Sequence, residues 1–202
     1  MPQPLHIAFL GCGFITRVHS RNLRRFQSEI VCGYASRDKA KAAAFCGEFR
    51  GTGSYSDYAD AINDPKIDAV VIAVPPKFHL NLTLQALDAG KHVLVEKPAY
   101  PTIGDYEAVR NARDRAKRVV LVGENDHYKP LAITLRKLLK NDVIGEMVFG
   151  YFSSIVKRLK TADDWRNDES MAGGDAFEPE TQMHLFKLFL LGEDAPTHIR
   201  GA

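Results

Sequence analysis

The chain has 202 residues, 45% of them hydrophobic and 26% charged, enough for one or two globular domains with a proper core. A net charge of +2 is too small to argue for nucleic acid or a membrane surface as partner. The three cysteines (Cys12, Cys32 and Cys46) have no metal-ligand spacing; they suggest neither a disulfide framework nor a zinc site, and free thiols fit a cytoplasmic location.

The first expected strand is Leu5–Leu10, already core-like at the start of the chain, so no signal peptide is expected before it. It runs into Gly11-Cys12-Gly13-Phe14-Ile15-Thr16 and then a helix. Gly11 permits a tight turn, and Gly13 lets the backbone approach a pyrophosphate. The helix start offers free N–H groups to that anion, with Phe14 and Ile15 in its first turn. Thr16 stands where the fingerprint has its third glycine. The basic stretch 21–25 reads as a solvated helix face.

A second strand is expected over Ile30–Ala35, followed by Ser36-Arg37-Asp38. Dinucleotide sites use this strand end to hold the adenosine ribose. Ser36 and Arg37 suit a 2′-phosphate, which favours NADP; Asp38 keeps NAD open, with helix N-terminal charge as its structural role. Ser36 is the expected cap of a helix over 38–49, and Ser56 that of a short helix ending before Asn63-Asp64-Pro65. Strands follow at 68–74, His92–Val95 and 119–122, with a helix over 79–89 closed by Gly90. Thr102 and Asp105 form a capping box for a helix over 103–117. Nearly continuous apolar strands alternating with helices predict a doubly wound parallel sheet of Rossmann type.

A domain boundary falls near Gly123, giving a nucleotide-binding domain over 1–123 and an incomplete C-terminal α+β domain over 124–202. The second domain is expected to hold a helix over Pro130–Lys140 with a leucine face, a long strand over 147–156, an irregular stretch over 157–175 and a last helix over 179–191. No apolar run reaches the length of about 20 residues that spans a bilayer.

Three further stretches are more specific: Val74-Pro75-Pro76 with His79, Ala89-Gly90-Lys91-His92-Val93-Leu94-Val95-Glu96-Lys97-Pro98, and Gly123-Glu124-Asn125 with Tyr128 and Pro130. With the glycine loop, they resemble the glucose-fructose oxidoreductase, inositol dehydrogenase and MocA-type family (GFO/IDH/MocA). The resemblance covers essentially the whole chain and is strongest from residue 5 to residue 130. It implies an NAD(P)-dependent oxidoreductase or dehydrogenase acting on CH–OH groups of sugars, cyclitols and related polyols. It also implies a sugar-like small-molecule partner and pairing of subunits as homo-oligomers.

By that resemblance Lys97 is the catalytic or proton-relay lysine, Glu96 and Pro98 shape its turn, and the peptide before Pro98 is a candidate for the cis form. Pro75, His79 and Asn125 would line the cofactor cleft, and Trp165-Arg166 resembles a family pair that approaches the cofactor. The chemistry agrees. Alcohol oxidation needs a hydride acceptor, which is the cofactor, and a proton acceptor from the protein. A cationic neighbour favours the neutral form of a lysine, which is a usable base.

In the second domain the family pattern is a glycine-rich stretch followed by an acidic residue, three residues and a histidine. Here Ala172-Gly173-Gly174 is followed by Glu180 and His184, with the required spacing and on one helix face. Holding the usual distance from the glycines instead selects Glu178 and Gln182, so both pairings stay open. Relatives also extend beyond residue 202. A non-catalytic NAD(P)-binding sensor or an inactive truncated relative is the alternative function.

Overall fold

The computed structural model describes residues 3–143 together with 145, 168 and 171. The chain divides into two compact units, Met1–Gly123 and Glu124–Ala202. The expected strand over 147–156 and last helix over 179–191 lie outside the described residues.

The first unit is a six-stranded parallel sheet in the order β3-β2-β1-β4-β5-β6. Its strands are β1 (Leu5–Leu10), β2 (Ile30–Ala35), β3 (Gly53–Tyr55), β4 (Ala69–Ile72), β5 (His92–Val95) and β6 (Val120–Val122). The helices between them are α1 (Phe14–Leu23), α2 (Lys39–Phe49), α3 (Tyr58–Asn63), α4 (His79–Asp88) and α5 (Ile103–Ala116). This is the doubly wound Rossmann-type order, with successive strands added on one side of β1 up to β3 and on its other side from β4 onward.

The alternation of side chains along a strand divides the core in two. Ala8 and Leu10 of β1 join Val70, Ile72, Val93 and Val95 in a cluster with Leu82, Ala86 and Leu87 of α4 and Val109 and Ala112 of α5. Ile7 and Phe9 join the other cluster, with Tyr34, Phe45, Phe49 and Val71. Both faces of β1 are therefore buried, which is why that strand reads as an unbroken apolar run.

Strand β3 is absent from the sequence expectation, because three residues containing a glycine carry no periodic signal. The strand expected over 68–74 is shorter, since Ala73 to Pro75 turn away toward α4. Two capping residues also differ. Asp38, not Ser36, caps α2, accepting from the N–H groups of Ala40 and Lys41; Asp57, not Ser56, caps α3, accepting from Ala59. A carboxylate two positions closer to α2, and one position closer to α3, outcompetes the serine. The Thr102–Asp105 capping box on α5 is formed in both directions.

In the second unit, a short 3-10 turn (Asn125–Tyr128) leads into α6 (Pro130–Lys140). Ala132 is the buried residue of α6, while Leu131 and Leu138 of the expected leucine face are exposed. Among the described residues, no helix is long and apolar enough to cross a membrane and no cluster suits a metal ion.

Candidate functional site

The carboxyl ends of β1 and β4 diverge at the switch point, where α/β sheets bind ligands. Gly11 leaves β1 there with φ +108. A side chain at this position would meet the Ala73 carbonyl oxygen at 2.6 Å, so Gly11 is required both by backbone conformation and by the close passage of the β4 exit. Gly13 is different. Its backbone is extended (φ −104), and a Cβ there would meet nothing within 4 Å. Glycine at 13 thus keeps open a space directly before α1.

That space faces a helix start with no side-chain cap and no acidic residue in its first turn. Helices α2, α3 and α5 by contrast each carry a capping side chain. The first-turn N–H groups of α1, on Phe14, Ile15 and Thr16, have no intrahelical acceptor. Such an end favours negative charge, as do the equally uncapped starts of α4 and α6; what sets α1 apart is the open glycine directly before it. Phe14 is 79% exposed beside it.

Thr16, at the missing third glycine, is fully buried and donates from Oγ1 to the Gly11 carbonyl at 2.6 Å. It ties the loop to the helix by a hydrogen bond. Behind it, Tyr34 donates to Ser20 at 3.0 Å and Ser20 donates to the Thr16 carbonyl at 2.8 Å. Burial pushes the Tyr34 hydroxyl well above its ordinary range and the Cys12 thiol up to about 11, so both stay neutral members of this wall.

At the end of β2, the Ser36 hydroxyl accepts from the Asp38 N–H at 3.1 Å. The Asp38 carboxylate is turned into α2 as its cap. Arg37 is exposed, with its guanidinium 5.8 Å from the centroid of the Phe78 ring and its charge close enough to favour the ionised form of Tyr58 against the effect of burial. The sequence alone gave no sign of Tyr58 and Phe78 as neighbours of Arg37, since they come from other crossovers.

The third component is the turn after β5. The Glu96 N–H donates to Ile72 at 3.0 Å, which holds the turn against the β4 exit. The Lys97–Pro98 peptide is cis. Glu96 is buried; it accepts from His19 of α1 at 2.6 Å and from the Lys97 N–H at 3.3 Å. Lys97 itself is partly exposed, and among the described residues its ammonium group has no hydrogen-bond partner. Gly123 lies across from Glu96, where a Cβ would come within 3.3 Å of the carboxyl group.

His79 stands behind the cleft and does not line it, being 1% exposed. Its Nε2 faces the Val74 carbonyl at 2.8 Å, and its Nδ1 faces those of Pro98 and Ala99 at 3.0 and 3.1 Å. It packs between the β4 exit and the turn that carries Lys97, and as a neutral imidazole it donates to one of the two sides. Burial is the dominant influence on it and holds its pKa below the usual histidine value, although the surrounding carbonyls pull the other way. Pro75 is half-buried at the β4 exit, and Asn125 is exposed at the start of the second unit. Trp165, Arg166, Glu178, Glu180, Gln182 and His184 lie outside the described residues.

The sheet order, the open glycine at an uncapped helix and the polar strand end of β2 define a dinucleotide-binding α/β domain. The family model for the oxidoreductase family with NAD-binding Rossmann fold, GFO_IDH_MocA, matches residues 5–124. The chain belongs to that family. It is similar to the uncharacterized oxidoreductase YdgJ of Escherichia coli, at 28% identity over 86% of this chain and 50% of that protein. It is also similar to inositol 2-dehydrogenase of Salmonella typhimurium, at 31% identity over 78% of this chain and 49% of that protein. Among solved structures, a levoglucosan dehydrogenase in complex with NADH and levoglucosan matches with a TM-score of 0.78 at 25% identity, over 93% of this chain and 54% of that one. The chain spans about half the length of the curated relatives it matches.

Proposed function

We propose that the chain binds a nicotinamide dinucleotide, NADP(H) in preference to NAD(H), and serves hydride transfer at a hydroxyl or carbonyl carbon of a sugar, cyclitol or related polyol. The observation that carries this reading is the convergence, on one edge of the sheet, of the open Gly13 loop, the β4 exit and the Glu96-Lys97 turn. The NAD-binding description of the family supports the cofactor class. The inositol and levoglucosan dehydrogenases among its relatives support the substrate class.

In this reading the N–H groups at the start of α1 hold the diphosphate, with Gly13 leaving room for it. The bound cofactor supplies the hydride acceptor or donor. Lys97, partly exposed and free of protein partners among the described residues, takes the proton from the reacting hydroxyl or returns it to the carbonyl oxygen. Pro75, half-buried at the β4 exit, lines the cleft.

The NADP preference rests on the β2 end. Asp38, the acidic group there, is committed to capping α2, while Arg37 is exposed and stacked on Phe78. A guanidinium in that position recognises a phosphate better than a pair of ribose hydroxyls. Titration of NADPH and NADH by their fluorescence tests this directly. NADPH binds more tightly to the wild type, and Arg37→Ala weakens NADPH by roughly tenfold or more while leaving NADH within about twofold. Equal affinities for the two cofactors in both proteins would refute the preference.

A further inference from the structure

His19 has no role in the reading above, yet it contacts the residue that shapes the Lys97 turn. It lies within α1, stacked on Phe9 of β1 with ring centroids 6.2 Å apart and planes 27° apart. Its Nε2 donates to Oε1 of Glu96 at 2.6 Å. The second oxygen of the same carboxylate, Oε2, accepts from the Lys97 backbone N–H at 3.3 Å. Glu96 is nearly closed off from water, with its side chain 12% exposed. Gly123 bounds its other side.

A carboxylate so enclosed has few donors available to it, and each one restricts its orientation. Stacking on Phe9 restricts the imidazole in turn. The connection from α1 to the active turn is therefore a short fixed chain: Phe9 ring, His19 imidazole, Glu96 carboxylate, Lys97 amide. Because α1 also presents the anion-binding N–H groups, the same helix that would hold the diphosphate sets the place of the lysine.

We infer that His19 is a positioning residue, which fixes the Glu96 carboxylate and thereby holds the Lys97 turn in register with the start of α1. The inference deepens the proposed dehydrogenase reading and, for its kinetic consequence, rests on it. Lys97 is the group that exchanges the proton; His19 acts only through Glu96. Loss of the imidazole donor frees the carboxylate to rotate, and the Lys97 amide loses its acceptor. The lysine then samples positions out of reach of the reacting oxygen, which lowers turnover without weakening cofactor binding.

The test uses the full chain in four forms: wild type, His19→Leu, His19→Gln and Gly123→Ala. Amide hydrogen exchange, read by NMR, is combined with turnover of NAD(P) against a panel of cyclitols and aldoses. His19→Leu speeds exchange of the Lys97 amide by roughly tenfold while the β5 amides of Val93 and Val95 keep their wild-type rates. It lowers kcat by about tenfold and leaves KM for the cofactor within about twofold. Glutamine, which retains an N–H donor, restores most of both. Gly123→Ala crowds the same carboxylate from β6 and gives a smaller change at the same amide, so the inference stays testable if His19→Leu folds poorly. An unchanged Lys97 amide in both His19→Leu and Gly123→Ala, or one that changes only together with Val93 and Val95, overturns the inference. If the wild type turns over no substrate, the dehydrogenase reading fails, and the amide measurement still decides whether His19 positions the turn.

Discussion

Strand β5 has a lysine near each end, and the two are treated in opposite ways. Lys91, just before the strand, is 8% exposed, and its ammonium donates to the carbonyls of Asp64 and Ile67 at 2.8 and 2.7 Å. Lys97, just after it, is partly exposed, and among the described residues its ammonium has no partner. One cation is consumed by the fold, knotting the turn before β4 to the turn before β5. The other is held by its backbone alone and left available. In a parallel sheet all strands point the same way, so one edge collects the structural turns and the other the ligand-binding ones. Lys91 lies at the first edge and Lys97 at the second.

The comparison breaks if the two lysines exchange their effects. Lys97→Ala should lower turnover by about 10²–10⁴-fold while NADPH affinity and melting temperature stay near wild type, since only general acid–base help is lost. Steady-state kinetics beside a cofactor titration checks this, and retained turnover would remove Lys97 from the chemistry. Lys91→Met should do the reverse. It leaves two carbonyls without a donor, costs about 2 kcal/mol of stability and lowers the melting temperature by roughly 4–8 °C, with cofactor affinity unchanged. A thermal melt separates the cases.

A smaller effect sharpens the same contrast, because His79 stitches only the Lys97 side of the sheet. Its pKa in the folded chain lies below the ordinary 6.5. The unfolded chain therefore takes up the proton first as the pH falls. The stability tied to neutral His79 is complete above 6.5 and is lost as the pH drops from there through the folded value. His79→Gln should flatten this acid limb of a melting-temperature profile; an unchanged slope would mean that other groups carry it.

Much of this fold was legible because parallel strands buried on both faces leave strong apolar runs, as in β1 and β4. The Thr102 cap and the Gly11 turn were legible for a similar reason, being local chemistry. Strand β3 was not, because it is short and pairs through its backbone along β2. The serines at 36 and 56 were displaced as caps by neighbouring aspartates, a competition that residue preference alone cannot rank. Site residues from one loop, such as Gly11 and Gly13, could be read directly. The contacts of His19 with Glu96, of Arg37 with Phe78 and of His79 with the Lys97 turn join distant segments, and only the folded sheet brings them together.

We propose that the space beside Gly13 holds the diphosphate of a dinucleotide. A Cβ placed there meets no atom of the described residues within 4 Å and needs no strained backbone. Gly13→Val should therefore fold with a stability within about 1 kcal/mol of wild type. Titration of this variant and the wild type with NADPH and NADH is the most direct measurement. The account predicts saturable binding to the wild type and none to the folded variant; undiminished binding to Gly13→Val would contradict it.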